Sequence, residues 1–492
     1  MKTLQKRLGI IVTLLSLCLV ISACGKTAEK DYDIYIYNGK SQNADALAEL
    51  AKKYEEETGV KVKTFTLEDN PEELRAEMNL KTPPTIFTTY TDTMAEWQQG
   101  GFLLDLNNAQ SPEFKQLASE IPEDIRLTTD NQNNYGIPYG LEGYGYVVNT
   151  ELIGDLFGDD VKDAVIEDLK VASYPEFEKA VLAFDNYIKN DKASEITLNG
   201  TKYTLKAEKS ELAAQLTGVF AVAGSETWTY GDHMVNVALA AAFNNAVDAR
   251  NATEQQLDSL KGPLEKYAQA LDFKTSHAAG KTGPIERGGE FINKTVNGYD
   301  QAVQLFADSK AIFLKQGNWV YANIQKVNPQ IVDTLTFIPV KLPLEQSDVT
   351  AEGKSVEKLN SSISVFVPSY YSINATVSKE EQKKAEEFLL WMNTSEIGQE
   401  YIQNKFFFIP YNASEDTKLD NSLNNAILDY KKVSNTISNP YVGAPATWAR
   451  TYVGQYIMEN YLNHQGAWQE TDYTQIAENA INGWKQLINA KQ

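Results

Sequence analysis

Residues Tyr32 to Phe65 read YDIYIYNGKSQNADALAELAKKYEEETGVKVKTF, and the hydrophobic period changes twice within them. Tyr32 to Asn38 alternates polar and apolar residues, the period-two pattern of a strand. Ala46, Leu47, Leu50, Ala51 and Tyr54 then recur at helical spacing, and Gly59 ends the helix. Val60 to Phe65 returns to alternation. Beyond it, PEELRAEMNL (Pro71 to Leu80) opens on proline and acids, which suit a helix N-terminus. TIFTTY (Thr85 to Tyr90) reads as a third strand. Strand, helix, strand, helix, strand implies an α/β chain with a largely parallel sheet covered by helices. Ligands of such sheets bind beyond the carboxyl ends of the strands. The loops at Asn38 to Asn43 and Thr88 to Asp92 are therefore the ones to watch.

Later segments extend the pattern. SEITLNGTKYTLKA (Ser194 to Ala207) places Asn199-Gly200 between two alternating runs, a strong hairpin signal. LAAQLTGVFAVAG (Leu212 to Gly224) reads as an apolar helix closed by glycine. AIFLKQGNWVYANI (Ala311 to Ile324) reads as strand, turn and helix start. Glu380 to Gln403 reads as an amphipathic helix pair, and Thr447 to Ala490 as mostly helical.

The N-terminus speaks to location. Lys2, Lys6 and Arg7 precede an apolar run from Leu8 to Ile21, then Ser22-Ala23-Cys24. A basic segment, a short apolar stretch and small residues before a cysteine make a secretory signal. The run falls short of the roughly 20 residues a membrane span needs. The full chain of 492 residues carries −21, and losing those three cations leaves about −24. Such a surface repels nucleic acid and anionic headgroups. The two cysteines are Cys18 and Cys24, so no disulfide and no thiol metal site is expected after the leader is removed.

These segments, in this order, resemble the extracellular solute-binding proteins of ABC importers, and above all the sugar-binding ones. LAELAKKYEEETGVKV, PPTIFTTYTDTMAEWQQGGFLLDL, YGIPYGLEGYGYVVNTEL, FADSKAIFLKQGNWVYANI and KKAEEFLLWMNTSEIGQEYIQNKFFFIP carry the likeness. It implies a two-lobe, periplasmic-binding-protein-like fold of type II, with discontinuous lobes joined by hinge strands. It places a signal peptide at 1–23 and a tether at 24–31. Lobe 1 takes 32–143 with 360–415, and lobe 2 takes 144–359 with 416–492. The hinge is crossed near Gly143 and again near Leu359 to Ser361. Ser-Ala-Cys resembles a lipobox, which implies a lipid on Cys24 and a membrane tether on the extracytoplasmic face. The likeness also implies a monomer that passes a carbohydrate to permease subunits without cofactor or catalysis.

Sugars present C–H faces that stack on aromatic rings and hydroxyls that need convergent donors and acceptors. Glu142 stands where the family's crossover acid meets hydroxyls, and no cation lies near it in sequence. Tyr139 and Tyr144 flank it. Trp319, Trp448 with Arg450, and Trp228 are the second lobe's expected contacts. Asn38, Lys40, Tyr90 and Asp92 are the first lobe's. Asn38-Gly39 stands where the family often has an acid before the lysine, and TTYTD lacks the Trp and Arg of maltose binders, so the ligand need not be a maltodextrin.

A glycosidase needs two carboxyls about 5–9.5 Å apart, and no local signature proposes such a pair. No G-x-S-x-G marks a serine hydrolase. His233, His277 and His464 are scattered and read as surface or packing histidines rather than metal ligands. A polyamine ligand and an adhesin role remain the other readings. Sequons at Asn251, Asn293, Asn360, Asn374, Asn393 and Asn412 reflect an Asn/Thr-rich surface.

Replacing Cys24→Ser should block lipidation. The variant should leave the membrane pellet and incorporate no labelled palmitate, whereas the wild-type chain does both.

Overall fold

Two large sheets and one small hairpin account for the strands of the described residues. The structure is a computed structural model that describes residues 30–490 apart from 68–70, 92, 129–131 and 415. The signal peptide, Cys24, most of the tether and Asp92 lie outside the described residues.

In the first sheet β1 (Ile34–Asn38), β2 (Val62–Thr66) and β3 (Ile86–Tyr90) are parallel, in the order β2-β1-β3. The helix Ala44–Thr58 between β1 and β2 buries Leu47, Leu50, Ala51 and Tyr54 and stops at Gly59, whose φ is 76°. The short β4 (Ile137–Pro138) joins through β12 (Ser369–Ile373), which runs antiparallel to both β3 and β4. The second sheet centres on β5 (Glu142–Asn149), every residue of which is buried. Beside it lie β8 (Gly218–Ala221), β9 (Ala311–Gly317), β10 (Leu335–Ile338), β11 (Ile363–Phe366) and β13 (Thr436–Ile437), in the order β13-β11-β5-β9-β8 with β10 also paired to β5. The hairpin of β6 (Glu195–Leu198) and β7 (Thr201–Thr204) turns on Asn199 at φ 46° and Gly200 at φ 82°, the left-handed pair a two-residue loop demands.

Three expectations change. Leu212 to Gly224 is no helix. It forms a short 3-10 turn at Ala213–Gln215 and the buried strand β8, parallel to β9. A strand buried on both faces has no polar alternation, so its apolar run looks like a buried helix. The passages between sheets also shift. The chain already pairs in the second sheet at Glu142, so the first passage is 139–141. β11 still pairs with β5 up to Phe366, so the second is 367–368 rather than Leu359 to Ser361. A third follows Phe406, and Ile409 there bridges to Leu141. Finally, Asn360, Asn374 and Asn393 are buried rather than on the surface. Their amides donate to Leu342, Pro84 and Leu389 carbonyls at 2.9, 2.9 and 2.8 Å.

One apolar core backs the first sheet around Ile36, Ile86 and Phe388. Another packs Tyr146, Phe220 and Phe313 against the helices of the second. A third runs through the passages, joining Phe87 and Trp97 to Val147, Leu314 and Phe337 by way of Leu141, Val367 and Ile409.

Lysines are buried in the second half. Burial lowers Lys274 to about 7 and Lys341 to about 7. Lys341 at least donates to Asn360 and Lys170 carbonyls, at 2.7 and 3.1 Å. Among the described residues Lys274 reaches only the Met234 sulfur, at 3.7 Å. A lysine whose folded pKa lies below its unfolded value of about 10.4 costs stability in full below the folded pKa. That cost fades as pH rises from about 7 toward 10. Lys274→Met should therefore raise the melting temperature at pH 7 by several degrees. The gain over wild type should shrink steadily toward pH 10, as read by calorimetry.

Candidate functional site

Glu142 is the first residue of β5, and register sets its neighbours. It pairs directly with Phe366, while Tyr144 pairs with Ser364 on one side and Gly317 on the other. Cross-strand partners and alternate residues point to one face. Glu142, Tyr144, Phe366 and Lys315 therefore share a face of the second sheet. Gly143 and Gly145 lie between them for want of space. A Cβ at Gly143 would come 2.9 Å from Ile427, and one at Gly145 would come 2.7 Å from the Ile338 carbonyl.

The expectation that Glu142 meets no cation is overturned. Lys40, 102 residues earlier, donates from Nζ to Glu142 Oε1 at 2.8 Å. Both side chains are 12% exposed. The pair joins the loop after β1 in the first sheet to the start of β5 in the second. Asn38 shapes that loop. Its Oδ1 accepts from the Lys40 N–H at 3.2 Å, and its Nδ2 donates to the Lys40 carbonyl at 2.7 Å and to Asn43 Oδ1 at 2.8 Å. The Tyr90 hydroxyl donates to the Gly39 carbonyl at 2.7 Å.

Aromatic rings floor the same face. β9 ends at Gly317, and the Trp319 ring folds back over it so closely that a Cβ there would lie 2.1 Å from the indole. Asn318 fixes this turn by accepting from the Gly143 N–H at 3.1 Å and donating to Asn424 at 2.7 Å. A π-helical turn, Thr229–Met234, follows Trp228. It brings His233 beside Trp228, five residues back, with ring centroids 5.2 Å apart. Trp319 lies 6.2 Å from Trp228 and 5.3 Å from His233. Phe366 and Tyr441 each lie 6.1 Å from His233. Trp228, Trp319, Phe366 and Tyr441 are only half-buried. The indole N–H groups are tied back, Trp319 to Gln316 at 2.9 Å and Trp228 to Glu226 at 3.3 Å. What the indoles leave for a ligand is faces.

Four residues expected to touch a ligand are buried in protein contacts. Tyr144 is 1% exposed. His233 stacks on its ring at 4.3 Å, and its hydroxyl donates to Asn439 at 2.8 Å. Tyr139 is 4% exposed, stacked on Tyr371 at 3.6 Å, with its hydroxyl bonded to Thr88 and Asn38. Trp448 is wholly buried in a T-shaped contact with Trp484, its N–H donating to the Ala480 carbonyl at 2.7 Å. Asn38 is likewise fully buried and acts through Lys40. Arg450 is exposed and Tyr90 half-buried. The structure thus brings Lys40, Glu142, Trp228 and Trp319 into one region, and adds His233, Phe366 and Tyr441. Nothing in the sequence marks Phe366, because its place depends on pairing with Glu142 some 220 residues away. His233 was traceable only by reading a π-helical turn, a conformation frequent at functional sites.

Two amines lie behind the floor. Lys315 Nζ sits over the Tyr144 ring, 4.5 Å from its centroid, without a hydrogen-bond partner among the described residues. Burial, then the nearby Lys274, hold its pKa well below the usual lysine range.

The chain was compared with known proteins. The sequence model of a family described as bacterial extracellular solute-binding protein matches residues 49–426. No curated protein matches the chain by sequence. Among solved structures, the binding protein RafE in complex with raffinose is 16% identical, with a TM-score of 0.59 over 92% of this chain and 99% of that one. A chitin oligosaccharide binding protein is 16% identical, with a TM-score of 0.59 over 93% and 100%. The maltose/maltodextrin-binding domain MalE of Bdellovibrio bacteriovorus, bound to maltotriose, is 18% identical, with a TM-score of 0.54 over 93% and 99%. At such identities the likeness is one of fold.

The ion pair is open to a double-mutant cycle. Lys40→Met and Glu142→Gln should each destabilise the chain by about 1–3 kcal/mol, since each leaves a largely buried polar partner unpaired. The double variant should recover part of that loss, giving a coupling of about 1 kcal/mol or more by denaturant unfolding.

Proposed function

The chain belongs to the bacterial extracellular solute-binding proteins, and on that premise we propose that it captures a carbohydrate, an oligosaccharide, between its lobes for an ABC permease. The observation that carries this is one face holding both halves of sugar recognition. Half-buried rings of Trp228, Trp319, Phe366 and Tyr441 offer surfaces for C–H stacking. Beside Phe366, the Lys40–Glu142 pair holds a donor and an acceptor 2.8 Å apart. A hydroxyl both accepts and donates, so it can meet both members at once. Proteins of the same fold bind raffinose and maltotriose, and one is a chitin oligosaccharide binder.

The lobes supply different groups: Lys40 from one, the rings from the other. A ligand that engages both is complete only when the lobes approach, and so shifts the population toward closure. The proposal includes a lipid on Cys24 that holds the protein at the membrane's outer face, a monomeric state, and no catalysis. A polyamine fits less well, because the carboxylate of Glu142 is already paired with the Lys40 amine at 2.8 Å.

Thermal unfolding of the chain from Gly25 onward, against raffinose, maltotriose and chitotriose with spermidine and calcium as controls, tests the reading. Ligand at 100 times its dissociation constant should add about 2.7 kcal/mol of apparent stability, seen as a rise of several degrees. Trp319→Ala and Glu142→Ala should each weaken that binding about tenfold or more. A shift with spermidine alone would sink the carbohydrate reading and keep the fold.

A further inference from the structure

Several polar atoms around the aromatic floor are tied to protein partners. Trp319 and Trp228 donate to Gln316 and Glu226, and Tyr144 donates to Asn439. His233 differs. Its Nδ1 has no hydrogen-bond partner among the described residues and is sealed from solvent. The residue is 8% exposed. A buried polar atom left in this state carries a desolvation cost. A phenylalanine would pack the same space without that cost. The geometry suits an aromatic ring of any kind: the imidazole lies 11° from the plane of Tyr144 and is ringed by Trp228, Trp319, Phe366 and Tyr441. Stacking therefore does not explain the nitrogens.

We propose that His233 is a specificity-determining residue of the cleft, its imidazole meeting a ligand hydroxyl at the centre of the floor, directly or through one bound water. The inference rests on the carbohydrate reading and deepens it. Charged and titratable groups around the ring fit this role. Burial, and then the charge of Lys315 across Tyr144, hold His233 well below the usual histidine range. The ring is accordingly neutral, with one nitrogen a donor and the other an acceptor. Asp232 precedes it, Lys274 stands behind Lys315, and Glu226 is engaged by Trp228. A neutral imidazole can exchange a hydrogen bond with a hydroxyl and still lie flat among rings. It also discriminates. A site group built to bond a hydroxyl goes unpaired when a sugar lacks one there, and rejects it more strongly than an apolar surface does.

The test uses the full chain, with raffinose, maltotriose and chitotriose titrated calorimetrically into wild type, His233→Phe, His233→Gln and Glu142→Ala. His233→Phe keeps the ring and removes the nitrogens. It should bind the wild-type sugar at least tenfold more weakly, with an unliganded melting temperature equal to or above wild type. Its ranking of the three sugars should change. His233→Gln should recover part of the affinity. If His233→Phe binds as wild type does while Glu142→Ala fails, His233 only packs, and the inference falls while the carbohydrate reading stands. If wild type binds none of the three sugars, both fall. Should His233→Phe unfold, imidazole 15N spectra of wild type decide. A histidine signal perturbed by the bound sugar, and unmoved by a sugar that does not bind, supports the contact; three unmoved histidines overturn it.

Discussion

β5 is a strand with no room around it. It pairs with β9, β10 and β11, and its first half carries glycines at 143 and 145 because neighbouring side chains and carbonyls occupy the space a Cβ would need. This close approach puts Glu142 opposite Phe366 and Tyr144 opposite Gly317. It also aims the carboxylate of Glu142 out of the second sheet at the point where the chain leaves the first. From there the other parts follow. The loop of Lys40 is cut to reach that carboxylate, with Asn38, Thr88 and Tyr90 bonding its backbone. The turn at Asn318 is bonded to β5 itself.

Stability has been given up near this face. Among the described residues, Lys315 and His233 each bury a nitrogen without a partner, and Lys274 has only a sulfur. Folding rules that hold elsewhere in a chain are commonly broken where function needs it. The breach here is local and electrostatic. The amines stand behind Tyr144, and burial holds both below the usual lysine range. The Lys40–Glu142 pair, by contrast, is a satisfied polar unit, and its near balance of donor and acceptor suits an uncharged, hydroxyl-rich ligand. The aromatic surface is half-exposed, and contiguous exposed apolar patches commonly mark interaction surfaces.

Much was readable in advance wherever a pattern was local. The period changes between Tyr32 and Phe65 mark β1, its helix and β2. Asn199-Gly200 marks a hairpin. Trp319 and Glu142 stood out through the likeness to the solute-binding family, which implies a ring in a Gly-x-Trp turn and an acid at the crossover. The misreadings share one cause. Leu212 to Gly224 is apolar on every side because β8 is buried on both faces, and period alone does not separate such a strand from a helix. Trp448, Tyr139 and Tyr144 are aromatic residues of the right type, but burial, not type, decides whether a ring has a free face.

The sequence by itself determined the alternation of strands and helices, the chain's acidity, the leader pattern, and the presence of one acid and several rings in order along the chain. These follow from short-range periodicity and composition, which need only neighbouring residues. Tertiary structure alone decided that Lys40 meets Glu142, that Phe366, Tyr441 and His233 join the floor, and that Trp448 goes to the core. Each of those depends on register between strands or on a π-helical turn. The physical reason is range: a salt bridge or a ring contact is set by distance in space, and groups 100 or more residues apart have no relation along the chain until the sheets place them together.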